Sequence, residues 1–77
     1  MSFSFPQFRK NTTGTNYYQI TSFEHVAEWQ QLGSKWLRHE VHAKILPERL
    51  LIQDLLECSN GHYDTITEQE FQKAVEG

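Results

Sequence analysis

The stretch LGSKWLRHEVHAKI, Leu32 to Ile45, decides how this chain folds. Leu37, His39, Val41, Ala43 and Ile45 occupy alternate positions in it, and all but His39 are apolar. Trp36, Arg38, Glu40, His42 and Lys44 fill the positions between, and all but Trp36 are polar or charged. Successive side chains of a strand point to opposite faces, so this sustained period of two marks a half-buried strand. A helix would use Leu37, Val41 and Ile45 at i, i+4 and i+8, but it leaves Trp36 and Ala43 badly placed. Gly33-Ser34 favours the strand, because a two-residue connection with glycine first suits a type II′ hairpin turn. Counting back from that turn pairs Leu32 with Lys35, Gln31 with Trp36, Trp29 with Arg38 and Glu28 with His39.

The same stretch holds RHEVHAK, which nearly spells the zinc-protease helix His-Glu-x-x-His but is one residue short. That motif needs both histidines on one helical face. On a strand, His39 and His42 point to opposite faces and cannot share an ion. A second metal reading joins Cys58 and His62, spaced C-x3-H, to His39 or His25. The paired cysteines of structural zinc sites are missing, so no metal ligand and no cofactor is assigned. Cys58 reads as a small apolar residue on a helix, and His42 and His62 as solvated side chains. A Cys58–His62 nucleophile pair is disfavoured too, because the C-terminal end of a helix opposes the thiolate such chemistry needs. Phosphate loops, nucleophile elbows and dinucleotide fingerprints are absent, so no catalytic residue is assigned and the chain reads as no enzyme.

Outward from the hairpin, residues 21–32 are compatible with a capped helix through Thr21 and Glu24, but their apolar residues form no clean stripe. Residues 11–16, NTTGTN, are a turn cluster between QFRK and YYQI and suggest another hairpin, with Tyr17 to Ile20 its best strand. LPERLLIQDLLECSNG predicts a helix over about 47–58: Pro47 suits its first position, Glu48 its first turn, and Leu51, Ile52, Leu55 and Leu56 make one apolar stripe. Asn60-Gly61 is the expected stop, with glycine as the left-handed cap. A short strand over 62–66 follows. A second helix over 68–75 is announced by a Thr67/Glu70 capping box and an Ile66/Phe71 staple. The expected fold is α+β: a small antiparallel meander with one helix on a face, a short strand and a closing helix. Residues 1–6 read as a flexible arm and 7–77 as a single domain.

At 77 residues the chain makes a modest core, since domains this small bury only about 60% of their unfolded surface. Apolar residues at 38% are too many for a disordered protein. MSFSFPQF is too interrupted for a signal peptide, and no apolar run approaches the roughly 20 residues needed to span a bilayer. With the lone Cys58, this predicts a soluble cytoplasmic protein. A net charge of −3 disfavours nucleic acid as a partner. The charge is unevenly spread: residues 1–49 are basic and residues 50–77 strongly acidic.

One feature carries a functional expectation. The hairpin face opposite Leu37 and Val41 collects Trp29, Trp36, Arg38 and His42 together with Lys44. Tryptophan and arginine among cations typify protein interfaces. The leading expectation is a small non-catalytic module that binds another protein or a second copy of itself, as an accessory subunit, regulator or inhibitor, through Trp29, Trp36, Arg38 and Lys44. The alternatives are single-stranded nucleic acid stacked on the two tryptophans, metal binding through Cys58, His62 and His39, and a face covered internally by the N-terminal phenylalanines Phe3, Phe5 and Phe8.

Overall fold

Gly33 adopts φ +62 and Ser34 a negative φ, the backbone of a II′ turn, and the chain reverses there as the alternation requires. The computed structural model describes residues 4–58 and 61–76. The elements, in chain order, are β1 (Gln7–Asn11), β2 (Asn16–Ser22), β3 (His25–Leu32), β4 (Lys35–His42), α1 (Leu46–Glu57), β5 (Tyr63–Thr65) and α2 (Glu68–Glu76). The strands form one antiparallel sheet in the order β4-β3-β2-β1-β5. The architecture is the expected α+β meander with a helix on a face, a short strand and a closing helix.

Residues 21–32 are extended. β2 runs on to Ser22, the chain turns at Phe23 and Glu24, and β3 carries it to the II′ turn. The apolar residues that spoil a helical stripe make sense in a sheet with both faces covered. Ile20 and Val26 face α1, while Tyr17 and Trp29 face α2. β3 and β4 pair without interruption from His25–His42 to Leu32–Lys35, the register counted from the turn.

Each helix covers one face at the inner end of the sheet. Ile52, Leu55 and Leu56 of α1 bury against Tyr18, Ile20, Val26 and Ala43. Phe71 of α2 joins Phe8 and Ile66 on the other face, with Trp29 and Val75 packed alongside. Each such side chain taken from water contributes about 1.5–3 kcal/mol. Ile66 and Phe71 thus bury together as the staple anticipates, and the Thr67 hydroxyl accepts the Glu70 N–H at 3.1 Å. Lys10 and Glu70, 3.3 Å apart, tie β1 to α2.

The ends of α1 depart from expectation. The helix begins at Leu46, so Pro47 is its second residue. Glu48 reaches back to accept the backbone N–H groups of Lys44 and Ile45. The left-handed cap is Cys58 itself, at φ 52, where glycine was expected at 61. The proposed cap residue Asn60 lies outside the described residues. Cys58 is half-buried rather than core. Of the expected arm, residues 1–3 lie outside the described residues, while Phe5 packs on the α1 cluster with its ring nearly perpendicular to that of Phe23.

Arg9 completes the inner end. It is 3% exposed, yet its guanidinium donates to the carbonyls of Leu55 (2.9 Å), Leu56 (3.1 Å) and Phe8 (2.8 Å) and to Gln7 Oε1 (3.0 Å). The last carbonyls of a helix have no partner within it and carry the negative end of its dipole. A buried cation at the end of α1 satisfies both.

Candidate functional site

The outer hairpin, β3 with β4, places its side chains by alternation alone. Trp29, Trp36, Arg38, Glu40 and His42 share one face with His25, while Glu28, Leu37, His39 and Val41 share the other. The two imidazoles of RHEVH therefore point apart. His39 stands opposite Glu28 on the α1 face, and His42 stands opposite His25 on the α2 face.

On the tryptophan face the contacts form a continuous strip. The Trp29 and Phe71 rings meet nearly perpendicular at 5.0 Å between centroids, and the Arg38 guanidinium lies 5.3 Å from the Trp29 ring centre. Trp36 meets Tyr17 edge-on at 5.6 Å. Arg38 donates to Glu40 at 3.0 Å, and Glu40 lies 3.4 Å from His25 Nε2. The His25 and His42 rings sit 4.6 Å apart, and Thr21 Oγ1 hydrogen-bonds His25 Nδ1. Arg38, above all, holds the Glu40 carboxyl below its ordinary range.

The cover over this face comes from α2. Phe8 shares the α2 cluster, Phe5 lies on the other face, and Phe3 lies outside the described residues. Trp29 is largely committed to Phe71 and Arg38, whereas Trp36 is half-exposed and Arg38 and Glu40 are exposed. Lys44 does not join the strip. About 13 Å of strand, at roughly 3.3 Å per residue, separates Arg38 from His42, and Lys44 lies beyond that end.

Cys58, His62 and His39 are not brought together. His39 is on β4 and His62 adjoins β5, at opposite edges of the sheet, four strand spacings or about 19 Å apart. Cys58 Sγ instead contacts Thr65 Oγ1 and the Leu55 carbonyl. Among the described residues, no group of three or more His, Cys, Asp or Glu side chains converges. A groove of about 350 Å³ between α1 and the β2–β3 turn is lined by Phe23, Arg49, Ile52, Gln53 and Leu56 together with the carboxylates of Glu24 and Glu57, and no Ser, Cys or His lines it.

Two participants were missed by sequence reading. His25 was readable, since the count from Gly33-Ser34 sets it opposite His42. Tyr17 was not, because its place beside Trp36 depends on a β2–β3 register that shifts irregularly between Ile20 and Ser22. No family model, no curated protein and no solved structure matches the chain.

Proposed function

We propose that this domain is a non-catalytic protein-interaction module, acting in the cytoplasm as an accessory subunit, regulator or inhibitor, and that its contact surface is the outer hairpin. The supporting observation is the strip on β4: a half-exposed Trp36 held edge-on by Tyr17, followed by an exposed Arg38–Glu40 pair, with both helices packed further in. An aromatic anchor already fixed in one orientation loses little conformational freedom on binding, and tryptophan and arginine supply a disproportionate share of interface energy. Trp36 and Arg38 are the centre of the contact, and Trp29 supports Arg38 from beneath.

The same geometry gives less support to single-stranded nucleic acid. Base stacking needs open ring faces. Trp29 offers its ring to Arg38 and Phe71, which leaves Trp36 alone.

The test is affinity enrichment with the wild-type chain and with W36A/R38A, followed by titration of each purified captured protein. Loss of two such anchors weakens a direct contact by roughly 30-fold or more. Unchanged affinity for every captured protein, with unchanged self-association, removes the reading.

A further inference from the structure

We infer that β4 joins two copies of this chain edge to edge, antiparallel, about a two-fold axis at His39. The inference rests on the preceding reading of the outer hairpin as the contact surface and names its partner as a second copy.

The two edges of the sheet differ. β5 is three residues long and runs into α2, whereas β4 pairs regularly along eight residues with neither proline nor bulge. Natural sheets commonly blunt their edges with short strands, prolines, bulges or charged side chains, because an open edge templates further pairing; of these β4 carries only the charges, Lys35, Arg38 and Glu40, and the last two can pair with a second copy. Among the described residues, no backbone hydrogen bond outside the helices and strands reaches Lys35–His42.

The free backbone groups can be assigned to residues. The Gln31 N–H donates to the Thr15 carbonyl at 2.8 Å, away from β4, so Gln31 and Trp36 form a non-hydrogen-bonded pair. Pairs alternate along an antiparallel ladder. Leu37, His39 and Val41 therefore bond β3, while Trp36, Arg38, Glu40 and His42 turn their N–H and C=O groups to the open edge.

A second β4 must set outward residues against outward residues, which leaves few registers. With the axis at His39, that imidazole meets its own counterpart, Arg38 opposes Glu40 of the second copy at two equivalent places, Trp36 opposes His42, and Leu37 opposes Val41. A shift in one direction sets Arg38 against Arg38, and in the other Glu40 against Glu40, and like charges directly opposed are unfavourable. The His39 register alone combines full overlap of Trp36–His42 with paired opposite charges. It also accounts for Leu37, 42% exposed in the single chain. Val41 packs on the α1 cluster, so its counterpart in the second copy brings apolar cover beside Leu37.

Sedimentation equilibrium tests this with the whole chain. The expected wild-type mass is twice 9.1 kDa. R38E and E40R each set like charges across the axis and raise the dissociation constant by roughly tenfold or more. An equimolar mixture of R38E and E40R recovers the dimer mass, because each strand then meets its opposite. Both variants break the Arg38–Glu40 contact within a strand and mixing cannot restore it, so recovery reads the contact between chains. E40P is a second probe: it removes an outward N–H without touching a bond to β3, and it too lowers the mass. A wild-type mass of 9.1 kDa up to roughly 0.5 mM, where even weak association registers, overturns the inference. So does a dimer that survives both charge reversals. A monomeric wild type that still loses an enriched partner in W36A/R38A removes self-pairing alone and leaves the interaction reading standing.

Discussion

The two ends of the sheet use the same residue types for different ends. At the inner end Arg9 is buried and spends its donors on the carbonyls of α1, while at the outer hairpin Arg38 is 51% exposed and lies across Trp29. Ile20 and Val26 are sealed beneath α1, but Leu37, on the same face of the sheet two strands or fewer away, stays open to water. The difference follows from coverage. Two short helices in a small chain cover the inner strands and the start of β3 on both faces, and β4, exposed along most of its length, is left to make contacts with something else.

The inner end depends most heavily on Arg9. R9A leaves the last carbonyls of α1 buried without donors, at about 1–3 kcal/mol each, so a total loss above about 3 kcal/mol is expected in chemical denaturation. R9K recovers little, since an ammonium lacks the planar fork that reaches Leu55, Leu56 and Phe8 together. A loss below about 1 kcal/mol for R9A would mean the inner end is not clamped as described.

Next in size is a matched pair of truncations. L55A opens a cavity at a fully buried site and costs about 2–5 kcal/mol. L37A, at a half-open site in the outer hairpin, costs under about 1 kcal/mol at concentrations where the chain is monomeric. Equal losses would erase the distinction between the two ends.

A third contrast is in pH. Burial, reinforced by the Glu28 carboxylate and Tyr63, pushes the Tyr18 hydroxyl above its ordinary value of 10.0, and burial raises Tyr63 as well. A raised folded-state value means the contribution is complete below the unfolded value and is lost as pH climbs toward the folded one. Stability is thus expected to fall from about pH 10 upward, and Y18F flattens part of that decline in a denaturation series run at several pH values. At the outer hairpin the smallest effect runs the other way. Glu40 is held below 4.5 chiefly by Arg38, so its attraction is present above that value and is lost as pH drops through the lower folded one. Carboxyl carbon NMR is expected to place its midpoint below the ordinary value, and R38A to move it back up.

The outer end was also the more legible in the sequence. Its period-two run and Gly33-Ser34 turn fix strands, faces and register from local chemistry, since a register slip would turn Leu37 and Val41 to the wrong side. The helices announced themselves through Glu48, Thr67 and their apolar stripes. The inner end depends on contacts distant in sequence. Arg9 meets Leu55 across 46 residues, and nothing near Arg9 distinguishes it from a surface cation. The cover of Trp29 by Phe71 likewise needs the closing helix to return across β1, which no local pattern states. Residues 21–32 were ambiguous because the start of β3 is covered on both faces, with the successive residues Val26 and Ala27 both buried, and double coverage erases the alternation that identifies a strand.

Amide hydrogen exchange along β4, followed as the chain is concentrated, tests the open edge most directly. The expected result is protection of Leu37, His39 and Val41 at every concentration, with protection of Trp36, Arg38, Glu40 and His42 appearing only as copies associate. Lasting exposure of those four amides in samples as concentrated as solubility allows would contradict a β4 edge built for a second copy.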